Sequence, residues 1–142
     1  MKPLAWALVS LGLLVLAPAQ IHAQNSQQGA RVELGRNYPN PFNPETTIPF
    51  TLSQDFFAGG KEPVVSLRIY NVLAQLTAVP ILQGSGAPME NLQLAWNGTG
   101  QYSAYWDGTV LNTGRPAASG VYVYQLVVNG HAYPPMKMTI VK

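Results

Sequence analysis

The sequence predicts an all-β protein, a two-layer antiparallel sandwich, on three observations. Apolar residues recur with period two rather than 3.6 along several short segments. The 13 glycines and 12 prolines among 142 residues cut those segments to lengths too short for helices. Cysteine is absent, so a core must be held by packing and not by disulfides.

Residues 47–52 put Ile48, Phe50 and Leu52 on one face and Thr47, Pro49 and Thr51 on the other. Pro49 lacks an amide donor, which predicts a sheet edge for this strand. In Val64–Tyr70, Val65, Leu67 and Ile69 point one way, Ser66 and Arg68 the other. Residues 92–96 repeat the pattern with Leu92, Leu94 and Trp96, and residues 102–106 with Tyr102, Ala104 and Trp106. The strongest strand signal is 121–128: Tyr122, Tyr124, Leu126 and Val128 form one face, and Val121, Val123, Gln125 and Val127 the other. Asn129-Gly130 then fits a two-residue hairpin turn of type I′, which requires positive φ twice. The return strand starts at His131, breaks at Pro134-Pro135 and resumes over 136–141, with Met138 and Ile140 facing inward. No segment after the N-terminal apolar run has helical periodicity. About seven short strands with such turns predict an immunoglobulin-like antiparallel sandwich, with Trp96 and Trp106 filling the space that a disulfide occupies in antibody domains.

Only 10% of residues are charged, 8 Lys and Arg against 6 Asp and Glu. The basic residues are scattered, so no face suits nucleic acid. Met1 and Lys2 precede an apolar run over 4–16, interrupted only by Ser10 and Gly12, and then Pro18 and small residues. This is the pattern of a secretory signal peptide, cleaved after Ala19 or Ala23. The run is too short for a membrane span, which takes about 20 residues. The expected organisation is a signal peptide over 1–23, a flexible lead-in over 24–36, and one domain over 37–142 whose order begins between Arg31 and Asn37. It implies export to the periplasm, cell surface or medium, with no stable membrane insertion after cleavage.

Nothing in the mature sequence selects a catalytic set, so the chain is expected not to be an enzyme and to need no cofactor or metal. His131 directly follows a hairpin turn and has no carboxylate nearby in sequence. Glu33, Glu45, Asp55, Glu62, Glu90 and Asp107 are widely spaced. Asp107 and Asn112 bring one carboxylate where calcium usually takes several. Asn97-Gly98-Thr99 matches a glycosylation sequon but also a turn. Tyr102, Tyr105 and Tyr133 are candidates for stacking on sugars. Val121, Val123 and Val127, if exposed, form an apolar stripe suited to a partner.

One segment is specific: Asn37-Tyr38-Pro39-Asn40-Pro41-Phe42-Asn43-Pro44, followed by Glu45-Thr46-Thr47-Ile48. It resembles the opening of bacterial C-terminal sorting domains of the type IX (Por) secretion system, which are similar to the immunoglobulin-like domain of the flagellar hook-cap scaffold FlgD. The prolines favour an extended approach, with Tyr38 and Phe42 placed to plug one end of the sandwich. The resemblance continues through residues 65–73, Trp106-Asp107-Gly108, Ser119-Gly120-Val121-Tyr122, and the final Lys137-Met138-Thr139-Ile140-Val141-Lys142. It implies a non-catalytic module that directs export and surface attachment. Its partner would be the outer-membrane secretion machinery, reached through the shape and exposed backbone of the terminal strand. The alternative is a stand-alone structural or adhesive envelope module that self-associates or binds another protein. The chain departs from the family at Ala74, where glycine is usual, in a longer segment over 80–97, in the non-acidic residues 109–112, and at Pro134-Pro135. The family's module normally follows a large cargo, whereas here the domain is expected to follow the signal peptide directly.

Overall fold

The computed structural model describes residues 29–142; the signal-peptide expectation for 1–23 lies outside the described residues. The alternating segments form strands, and the glycine and proline clusters between them form turns. Ten strands result: β1 (Val32–Leu34), β2 (Thr46–Leu52), β3 (Val64–Tyr70), β4 (Leu76–Ala78), β5 (Ile81–Leu82), β6 (Leu92–Gln93), β7 (Gln101–Trp106), β8 (Gly120–Val128), β9 (His131–Ala132) and β10 (Met136–Ile140). One short 3-10 segment, Gln54–Gly60, follows β2. The strands make two antiparallel sheets, ordered β1-β2-β7-β5 and β10-β8-β3-β4, with β6 also on β3 and β9 on β8. The described residues are therefore all-β.

The inward faces are those that period two predicts. Ile48, Phe50 and Leu52 from β2 and Tyr102, Ala104 and Trp106 from β7 meet Val65, Leu67 and Ile69 from β3 and Tyr122, Tyr124, Leu126 and Val128 from β8 in one buried cluster. Met138 and Ile140 of β10 complete it. Asn129 and Gly130 both have positive φ, 51° and 82°, which gives the tight hairpin its twist.

Several expectations are corrected. Order begins at Val32, inside the expected range of Arg31 to Asn37, and the last part of the 24–36 lead-in is strand, because β1 pairs with β2 through Val32–Leu52, Glu33–Thr51 and Leu34–Phe50. The strands number ten and not seven, because β1, β4 and β5 form where no strand was expected. Only Leu92 and Gln93 of 92–96 are strand. Trp96 does not fill the core: it is 38% exposed and packs on Phe57, ring centroids 5.0 Å apart. Ser66 is buried despite facing away from the core, because its Oγ accepts from the amide of Asn91 at 2.8 Å.

Pro49 is not at an edge, since β2 lies between β1 and β7. The amide of Gly35 donates to the Pro49 carbonyl at 2.8 Å, but proline has no N–H with which to return the bond. The Gly35 carbonyl so released accepts instead from the Tyr124 hydroxyl, 2.7 Å away in the other sheet. Gly35 has to be glycine for this approach: a Cβ there would stand 2.8 Å from Pro49 Cγ.

Ala74 keeps a glycine-like backbone, φ 62°, in a turn where Asn71 Oδ1 accepts from the amides of Leu73 and Gln75 at 2.9 and 3.0 Å. The left-handed conformation costs an L-residue about 1–2 kcal/mol, only part of which glycine's extra chain entropy offsets. Ala74→Gly should therefore raise stability by about 0.5–1 kcal/mol. A higher urea midpoint at unchanged slope is the expected reading.

Candidate interaction site at the opening motif and terminal strand

The residues singled out as a motif converge on the terminal strand from both ends of the sequence. Asn37 is 3% exposed. Its backbone amide donates to the Tyr124 hydroxyl at 3.1 Å, and its Nδ2 donates to Thr46 Oγ1 at 3.0 Å and to the Pro39 carbonyl at 3.2 Å. Its Oδ1 is buried and has no donor among the described residues, a cost of about 1–3 kcal/mol that the surrounding contacts must offset. Tyr38 exchanges two backbone bonds with Thr47, both 2.9 Å. Tyr38 does not plug the end of the fold: its side chain is 56% exposed, whereas Phe42 is 1% exposed. Phe42 packs edge-on against Trp106 at 5.6 Å, and Trp106 against Tyr122 at 5.8 Å.

The segment then closes over the outer edge of β10. Asn40 Oδ1 accepts from the Thr139 amide at 3.1 Å. The Phe42 amide donates to the Thr139 carbonyl at 3.0 Å, and the Val141 amide donates to the Phe42 carbonyl at 3.1 Å, making a parallel bridge with Ile140. The expectation of an exposed terminal-strand backbone is thus overturned at Thr139 and Val141. Pro41, Asn43 and Pro44 are exposed, and the Pro44 carbonyl lies beneath Gly108. On the other side of β10, Gly120 pairs with Ile140 and Tyr122 with Met138. Ser119 Oγ accepts from the Lys142 amide at 3.1 Å, and the Tyr122 hydroxyl donates to Ala118 at 2.8 Å. Met138 and Ile140 are buried, while Lys137, Val141 and Lys142 are exposed. The bonds of Thr46 and Tyr124 to Asn37 and the Asn40–Thr139 bond escaped the sequence reading; the last joins residues 99 positions apart, and only the regular Asn-Pro spacing of the segment hints at a shared role.

The remaining candidates are not brought together. Asp107 Oδ1 is an acceptor for the Thr109 amide and hydroxyl at 2.9 and 2.7 Å, a turn arrangement. No group of three or more metal-ligating side chains occurs among the described residues. His131 is exposed and stands edge-on to Tyr133 at 4.7 Å. Tyr102 is buried with its hydroxyl on the Ala95 carbonyl at 2.7 Å, Tyr133 follows β9, and Tyr105 is on the outer face of β7, so the three make no common platform. Asn97 Oδ1 accepts from Thr99 and Gly100 while its Nδ2 donates to Gln101 at 2.7 Å. Val121 is 41% exposed, but Val123 and Val127 are half-buried, so the stripe is broken. Among the described residues no helix is long and apolar enough to cross a membrane.

No family model matches the chain, and no curated protein matches it. Among solved structures it is similar to an alkylpurine DNA glycosylase, AlkC, from Pseudomonas fluorescens, bound to DNA containing an abasic site analog. The two are 17% identical with a TM-score of 0.47, over 82% of this chain and 32% of that one. The chain thus spans about a third of that protein's length. That structure is an enzyme, and the expectation that this chain is not one is withdrawn on that finding. At this identity and TM-score neither the glycosylase activity nor its substrate transfers.

Gly108 has φ +84°, and a Cβ would run into the Pro44 carbonyl, a backbone atom that cannot swing aside. Gly108→Ala should cost at least about 2 kcal/mol, read as a lower denaturant midpoint, whereas Gly114→Ala, with open space around it, should cost only the left-handed strain. Burial raises the Tyr124 hydroxyl above its ordinary value of 10.0, partly offset by the Asn37 amide, and burial likewise raises Tyr102. Folding therefore favours the protonated phenols. Their contribution is complete below pH 10.0 and is lost as pH rises through the higher folded-state values. Melting temperature should fall above pH 10.0, and less steeply in Tyr124→Phe, which lacks that ionisation.

Proposed function

We propose that the chain is an exported, immunoglobulin-like sandwich of the type IX sorting-domain kind, directing surface attachment through its terminal strand. The observation that carries this reading is the clasp of Asn40 and Phe42 on Thr139 and Val141. The segment most specific in sequence and the strand expected to be recognised form one structural unit. Recognition then rests on the outward side chains Lys137, Val141 and Lys142, because the neighbouring backbone at Thr139 and Val141 is already paired. The apolar run over 4–16 supports passage through the inner membrane by a cleaved signal peptide.

A second reading is a stand-alone envelope module that self-associates. It is favoured by Val72 and Leu73, 73% and 72% exposed at the β3–β4 turn. Sedimentation of the purified protein separates the two: a stable dimer lost in Val72→Ser/Leu73→Ser supports self-association.

For the sorting reading, a reporter fused ahead of residue 29 should reach the surface of a host that has the type IX machinery. Removing residues 137–142 should leave it in the periplasm, but Met138 and Ile140 are core residues, so unfolding alone produces that result. Lys137→Glu/Lys142→Glu changes only exposed side chains and should leave stability within about 0.5 kcal/mol while lowering surface display. Undiminished display in that variant and in the deletion rejects the sorting reading.

A further inference from the structure

Beside the end of β7 lies a cleft of about 350 Å³. Pro80, Ile81, Tyr105, Asp107, Leu111 and Asn112 are among the residues that line it. The volume lies at the small end of ligand sites, which run about 300–1,000 Å³. The cleft is well braced. The Leu111 amide donates to the Thr77 carbonyl at 2.8 Å, Val110 to Arg115 at 2.7 Å, and Ala117 to Gly108 at 2.7 Å, tying the loop to β4 and to itself. The Tyr105 hydroxyl donates to Glu45 Oε2 at 2.6 Å, which fixes its ring. Ile81 and Leu111 remain 36% and 39% exposed.

The polar lining groups are of kinds that bind hydroxyls. Asp107 Oδ1 is engaged by Thr109, while its Oδ2 has no partner among the described residues and is a free acceptor. Asn112 brings both an amide donor and a carbonyl acceptor. Two carboxylates, Asp107 and Glu45, adjoin the ring and no lysine or arginine lines the cleft, which disfavours anionic ligands. A phenol tied down at its hydroxyl, lining the cleft together with aliphatic side chains and hydrogen-bonding groups, suits the apolar C–H faces and the hydroxyls of a pyranose. We propose that this cleft binds a neutral hexopyranose unit of a glycan. The site shares no residue with the terminal strand, so it stands or falls independently of the sorting reading.

The test is a magnetic-resonance titration of the isotope-labelled, exported protein with the methyl glycosides of glucose, mannose, galactose and N-acetylglucosamine. At least one should saturably shift the amides of Tyr105, Asp107, Leu111 and Asn112 with a millimolar Kd. Tyr105→Ala should weaken binding about tenfold or more. Asp107→Asn keeps the turn acceptor for Thr109 and should weaken it about fivefold; should Tyr105→Ala fail to fold, this variant decides. Absence of saturation with all four glycosides, shifts confined to other surfaces, or equal binding by Asp107→Asn overturns the proposal.

Discussion

A single phenol links the two sheets where the backbone ladder fails. Pro49 stands in an interior strand and cannot return the hydrogen bond from Gly35, so the Gly35 carbonyl would be an orphan at the start of the fold. The Tyr124 hydroxyl occupies that carbonyl and at the same time accepts from the Asn37 amide. A buried carbonyl without a partner costs about 1–3 kcal/mol. One side chain of β8 thus repairs a defect in the opposite sheet and fixes the point from which the 37–46 segment departs.

From that point the segment runs as a strap. Thr46 and Pro39 engage Asn37, Phe42 enters the core against Trp106, and Asn40 reaches the outer edge of β10. The strap covers an edge that would otherwise invite pairing with another chain. This matters in a protein with so few charges to keep copies apart. The described residues contain one ion pair, Arg68–Glu90, and a surface pair of this kind contributes only about 0–1 kcal/mol. Stability rests on the aromatic and aliphatic core.

Strand faces were legible because burial on one side imposes period two: Ile48, Phe50, Leu67, Tyr124 and Ile140 were all assigned inward, and all are buried. Pro49 misled because its edge rule assumes that no hydroxyl from another sheet can take the vacated acceptor. Trp96 misled because strand β6 ends at Gln93 and, although Leu94 is still buried, the indole two residues on turns onto Phe57. Strand β1 was missed because three residues are too few to display a period. At the clasp the participating residues were visible as a motif, but their bonds to Thr139 and Val141 were not, since nothing local encodes a contact between the two ends of a domain.

The parallel bridge between Phe42 and Ile140 also sets how the molecule bears tension. Hydrogen bonds on both flanks of β10 lie across its length, so a pull along the final residues loads the β8 ladder and the Asn40–Phe42 strap in shear. Several bonds must then rupture together, where a strand peeled from a free edge would give way one bond at a time. A load entering through the last residues therefore meets bonds on both flanks of β10 at once.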